Sequence, residues 1–149
     1  MDCGAVESKF DRTTHRIRKQ QKNQHVSNYI DGYAFPIATK HLETYKSIAA
    51  EIAAIWKEYG ALSYSEFVSD GPTMEGTRSF SELLDAKDDE TIIFGWVAFE
   101  SKEAHTKAHQ RIANDSRMAE LVAPLMESSN LIFDAQRMGY GCFSPIIQS

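Results

Sequence analysis

The sequence predicts an α+β domain in which helices cover an antiparallel sheet, and three observations carry that prediction. From Tyr29 onward, strand-like and helix-like patterns follow one another in the order β-α-β-β-α-β. The third strand pattern, TIIFGWVAF, is apolar on both alternating sets, with Ile93, Val97 and Phe99 on one and Ile92, Phe94, Trp96 and Ala98 on the other. A strand of that kind is central and buried on two sides. Finally, the chain has 149 residues, 42% hydrophobic and 25% charged, the proportions of a single globular core.

Taken in order, residues 1 to 28 carry six Lys/Arg against three acids, centred on HRIRKQQKNQH, with no apolar signal region and no sustained amphipathic stripe. They are expected to be a disordered basic arm preceding a single domain over 29–149. YIDGYAFPI is the first strand, closed by Pro36, with Thr39 as the N-cap of the helix that follows. Tyr45, Ile48, Ala49, Ile52, Ile55, Trp56 and Tyr59 recur with helical spacing, and Gly60 is the stop. ALSYSEFV is the second strand, SDGPTMEGTRS a loop, and FSELLDAKDDE a short helical or irregular segment before the third strand. Ser101 caps a second helix, SKEAHTKAHQRIAN, and a shorter helix runs through Met118, Leu121, Val122 and Leu125. RMGYGCFSPII is the last strand, with Gly139 and Gly141 on one face.

This order is the split βαβ, ferredoxin-like arrangement, with the first and third strands central and the second and fourth at the edges. The first strand is expected to run beside the third in parallel. Two helices cover one face of such a sheet, so its apolar second face calls for a partner, and a homodimer formed sheet to sheet supplies one.

The same residues resemble a known family. YIDGYAFPI, EYGAL, SF, AKDDETIIFGW, SKEAH and FDAQRMGYGCF together are similar to the DUF1428 family, uncharacterised bacterial proteins of the dimeric α/β-barrel superfamily. The resemblance covers about four-fifths of the chain. It implies the fold already derived and no particular reaction. Some superfamily relatives are haem-degrading or quinone-forming monooxygenases, a likeness of fold alone. Cys142 stands where the family more often has glycine, and residues 127–132 replace a Met-Pro-bearing turn. The basic arm has no counterpart, because relatives begin near Asn28.

Composition narrows the function classes. No run approaches the roughly 20 apolar residues of a membrane span, so no membrane partner is expected. Cys3 and Cys142 show neither a disulfide framework nor zinc spacing, which fits a reducing, cytoplasmic setting. The net charge of −5 divides into +3 for residues 1–28 and −8 for the remainder. An acidic body is a poor phosphate binder, so no nucleic-acid partner is expected except through the arm.

The charges that interrupt buried patterns are the candidate site. Asp31 and Glu66 fall near one end of the sheet, flanking Ile92 to Phe94, about 10 Å apart across two strand spacings. On one face they form an acidic pair suited to proton transfer or to holding a polar ligand. Their repulsion and burial would raise at least one pKa, and Asp31→Asn would leave the melting temperature unchanged or higher. The competing structural reading has Asp31 satisfying turn amides before Gly32 and Glu66 guarding an edge strand. Arg137 and the aromatics Tyr33, Trp96 and Tyr140 complete the ligand-binding candidates, with catalytic residues unassigned. His105 and His109 share a helix face at i and i+4, yet the sequence offers no HExxH or further ligand pattern, so neither metal nor cofactor is expected. Cys142 reads as a small buried strand residue rather than a nucleophile.

Three classes stay open. A protein that binds or converts a small molecule in a cavity at the sheet is preferred over a non-catalytic dimeric module, and both over a weak nucleic-acid binder acting through the arm.

Overall fold

The computed structural model describes residues 27–149, and the basic arm therefore lies outside the described residues. Strand β1 spans Tyr29–Ala38 and passes through a short 3-10 turn, Thr39–His41, into helix α1, Leu42–Glu58. Strand β2 is Ser63–Val68, helix α2 Phe80–Leu83 and strand β3 Glu90–Phe99. Helices α3, Lys102–Ala113, and α4, Ser116–Val122, precede two 3-10 turns and strand β4, Gly139–Phe143. The strands form one sheet in the order β2-β3-β1-β4. β1 and β3 are central, as the sequence predicts.

The pairing of those two strands differs from expectation, because β1 runs antiparallel to β3, as do all paired strands of the sheet. The reason is connectivity. β2 returns to β3 as an antiparallel neighbour, and β1 and β2 run in the same direction on either side of it. The register shifts accordingly: Asp31 lies opposite Val97 and Glu66 opposite Gly95, rather than beside Ile92 to Phe94.

Pro36 does not close β1, which continues to Ala38. A proline is tolerated in this central strand because β4 pairs with β1 only over Ile30 to Ala34, so the missing N–H falls beyond the end of β4. Thr39 lies inside the 3-10 turn and caps nothing with its side chain. Gly60 does end α1, at φ +107°: its N–H reaches Lys57 O at 3.2 Å and that of Ala61 reaches Trp56 O at 3.0 Å, a Schellman closure. Ser101 Oγ accepts the N–H of Ala104 at 3.0 Å, and this cap sets the start of α3 over β1.

Alternation sends Tyr33, Phe35 and Ile37 of β1 and Ile93, Val97 and Phe99 of β3 into the core beneath the helices. Tyr45 and Ala49 of α1 and Ala108 of α3 meet them there. Burying a side chain such as Phe35, Ile37 or Phe99 stabilises the fold by about 1.5–3 kcal/mol each. The opposite face carries Phe67, Phe94 and Trp96, stacked or edge-on to one another, with Phe80 of α2 against Phe94. Phe94 is 41% exposed and Phe143 55%. Among the described residues, no helix is long and apolar enough to cross a membrane.

Candidate functional site

Asp31 and Glu66 project to the same face of the sheet, beneath the helices, because their partners Val97 and Gly95 are two residues apart on β3. Both line a cavity of about 200 Å³ between the sheet and helices α1 and α3, together with Tyr33, Tyr45, Tyr64, His109 and Tyr140. Val97, Phe35, Ile52, Leu125 and Phe133 supply apolar wall. Tyr45, Tyr64 and Glu66 also form part of the wall of a larger groove, about 490 Å³, between α1 and β2.

Asp31 is 2% exposed and accepts side-chain donors from two directions. From α3, His105 Nε2 lies 2.7 Å from Oδ1 and His109 Nε2 lies 2.7 Å from Oδ2. The i, i+4 spacing places both imidazoles over one carboxylate, with ring centroids 4.2 Å apart. From the neighbouring strand β4, the Tyr140 hydroxyl donates to Oδ1 at 2.5 Å and the Cys142 thiol lies 3.4 Å from the same oxygen. Burial drives the Asp31 pKa upward, but hydrogen bonds from Tyr140, His109 and His105 outweigh it and hold the carboxyl below its ordinary range. The expected rise is therefore reversed at this residue. Nor does Asp31 satisfy turn amides, since it lies within β1 and its partners are side chains.

Glu66 is held by three tyrosines. The hydroxyls of Tyr33 and Tyr64 donate to Oε1 at 2.8 and 2.6 Å, and that of Tyr45 donates to Oε2 at 2.6 Å. Burial above all, with the neighbouring Glu66 carboxylate adding to it, pushes all three phenols well above their usual range. Gly95 makes this approach possible. A Cβ there would stand 2.8 Å from Ser65 O, 2.8 Å from the Tyr33 hydroxyl and 2.9 Å from Glu66 Cγ. Among the described residues, every buried side-chain nitrogen and oxygen has a hydrogen-bond partner.

Of the residues singled out in the sequence, Asp31, Tyr33, Glu66 and Tyr140 share this cavity. Trp96 does not. It lies opposite Gly32 and stacks on Phe67 on the other face of the sheet, because residues of even number on β3 point away from the helices. Arg137 is elsewhere too: its Nη1 and Nη2 meet Glu90 Oε1 and Oε2 at 2.7 and 2.8 Å, and its Nε meets Asp134 at 3.0 Å. This clamp ties the approach to β4 onto the start of β3. Cys142 is exposed, not buried, since β4 is an edge strand.

Sequence reasoning missed four participants. Tyr45 was absorbed into the apolar stripe of α1, and Tyr64 into a strand, although its i, i+2 relation to Glu66 placed both on one face. His105 and His109 were paired correctly with one another, but the carboxylate they serve is 74 and 78 residues away.

Chemically, an ionised Asp31 receiving both Nε2 protons leaves Nδ1 as the basic nitrogen of each imidazole. That is the carboxylate-oriented histidine of general acid–base sites. The side chain of His109 is 38% exposed and contributes to the cavity wall.

The comparisons with known proteins agree on kinship and leave chemistry open. The family model described as "Protein of unknown function (DUF1428)" matches residues 28–134. The "Uncharacterized protein YbaA" of Escherichia coli strain K12 is 33% identical over 120 residues, covering 80% of this chain and 97% of that protein. The proteins of the same description from Escherichia coli O157:H7 and Shigella flexneri match with the same figures. With the family model matching residues 28–134, and a relative 33% identical over four-fifths of this chain and nearly all of its own length, the chain belongs to the DUF1428 family.

Proposed function

We propose that this protein binds a small polar molecule in the cavity between its sheet and helices, with Asp31 and His109 at one pole and Glu66 with its tyrosines at the other. The observation that carries the reading is the placing of two carboxylates, each ringed by donors, in the wall of one largely apolar space. Withdrawing charge from water costs free energy unless it is well partnered, and here Asp31 is buried and Glu66 half-buried. A cavity of about 200 Å³ suits a compact ligand, and the adjoining groove of about 490 Å³ gives room for a longer one. Where the ligand carries a transferable proton, His109 is the group to move it, with Asp31 orienting the ring.

The test is a ligand-observed NMR screen of compact polar fragments against the wild type, Glu66→Gln and His109→Gln. Fragments that bind the wild type and weaken at least about tenfold with both variants support the reading. Fragments indifferent to both, or no binder in a broad set, overturn it.

A second reading concerns assembly. The aromatic face formed by Phe67, Phe94, Trp96 and Phe143 supports the proposal that the ferredoxin-like sheet pairs with that of a second copy, giving a dimeric α/β barrel. Light scattering at micromolar concentration should then give twice the 16.8 kDa chain mass. A value of one chain mass contradicts it.

A further inference from the structure

We propose that Asp31, His105 and Cys142 form a binding site for a zinc-type divalent metal ion at the β4 edge of the sheet, a site that adjoins the ligand cavity and shares Asp31 with it. The strand register places Cys142 directly opposite Asp31, and α3 brings His105 over both. One ligand atom from each of the three residues lies within 4.8 Å of the other two.

The distances decide whether an ion fits. With Zn–S near 2.3 Å and Zn–N or Zn–O near 2.1 Å, a tetrahedral ion spaces its sulfur about 3.6 Å from nitrogen or oxygen, and nitrogen about 3.4 Å from oxygen. Here Cys142 Sγ lies 3.4 Å from Asp31 Oδ1 and 3.8 Å from His105 Nε2. Those two edges already have metal-site lengths. The third, 2.7 Å between His105 Nε2 and Asp31 Oδ1, is a hydrogen bond that opens by roughly 0.7 Å when the ion replaces its proton. His109, bonded to Oδ2 at 2.7 Å, then orients the carboxylate from behind. The Tyr140 hydroxyl, which donates to the same Oδ1 at 2.5 Å and lies 3.6 Å from Sγ, is the other polar group beside the three ligand atoms.

The donor set selects the ion. One thiolate, one imidazole and one carboxylate suit Zn²⁺ or Co²⁺ and are poor hosts for Mg²⁺ or Ca²⁺. Cys142 is exposed, so the ion has an entry path. The proton balance is simple: the thiol releases one proton, and the imidazole moves its own from Nε2 to Nδ1. The same three residues do not make a nucleophilic triad, which requires the carboxylate and the thiol on different imidazole nitrogens, whereas both meet Nε2 here.

Co²⁺ titration of the full chain is the test, because a cobalt–thiolate bond gives a near-ultraviolet charge-transfer band and a tetrahedral ion gives intense visible bands. The expected result is one Co²⁺ per chain, displaced by Zn²⁺, with about one proton released. Cys142→Ala abolishes the charge-transfer band, and His105→Gln weakens binding more than about tenfold. Cys142 is exposed, so its variant should keep the wild-type circular dichroism, and Cys3→Ala and Glu66→Gln should leave the titration unchanged. Absence of the band in the wild type, its survival in Cys142→Ala, or its loss in Cys3→Ala overturns the site.

Discussion

Replacing Asp31 by asparagine removes a charge from the centre of a network and leaves the side chain's shape intact. In the wild type the carboxylate accepts from His105 and His109 at 2.7 Å each and from Tyr140 at 2.5 Å. Hydrogen bonds to a charged group contribute about 1.5–3 kcal/mol each, roughly twice the value of neutral ones. Asparagine keeps one acceptor oxygen and turns an NH2 toward a histidine nitrogen that was itself a donor. Because the bonds share one acceptor group they do not add, and the expected loss is about 2–4 kcal/mol. For a domain of this size that corresponds to a fall of roughly 8–16 °C in melting temperature. Urea unfolding followed by far-ultraviolet circular dichroism at pH 7 measures it. The Asp31 pKa is lowered in the fold, so its contribution is present above the unfolded value, about 3.9, and is lost as pH falls through the folded value. The gap between wild type and variant should therefore close below about pH 4. Wild-type stability of the variant at pH 7, or a gap that widens toward acid, would refute the reasoning and restore the strained acidic pair anticipated from the sequence.

Three further outcomes follow from the same geometry. Gly95→Ala sets a Cβ within 3 Å of Tyr33 and Glu66 and should cost on the order of 2 kcal/mol or more, read by the same urea titration; a neutral effect would mean that the Glu66 cluster is loosely packed. The phenols of Tyr33, Tyr45 and Tyr64 are raised, so the folded protein resists their ionisation and loses stability as pH climbs past about 10, the unfolded value. Absorbance titration should show these three ionising together with alkaline unfolding, not before it. Ser101→Ala removes the cap of α3 and should cost about 1 kcal/mol while leaving the sheet intact; a loss near zero would show that tertiary packing alone holds that helix start.

What the sequence disclosed was set by how local each signal is. Gly60 and Ser101 act within a few residues, and the structure places both caps where their residue types demand. The two-sided apolar pattern of TIIFGWVAF reflects burial on two faces, and β3 is central with Phe99 and Ala98 buried on opposite sides. Pro36 misled because its tolerance depends on where β4 ends, a fact encoded 100 residues later. The site was half legible for a similar reason. Asp31 and Glu66 stood out as charges inside buried patterns, but what makes them stable is a set of partners on α1, α3 and β4 that no local spacing announces. Trp96 was assigned to the site by residue type, whereas its even position on β3 assigns it to the other face. Arg137 interrupts an apolar run for a structural purpose, its fork filled by Glu90. The direction of the Asp31 shift required the count of donors, which only the packed structure supplies.

The central claim is that the space between Asp31 and Glu66 is a ligand site. A crystal structure of the protein soaked with the tightest fragment from the NMR screen tests it most directly. The account predicts density between the two carboxylates, with polar ligand atoms within hydrogen-bond distance of His109 or of the Glu66 tyrosines. A fragment seated instead on the Phe67, Phe94 and Trp96 face, with the inner cavity empty, would contradict it.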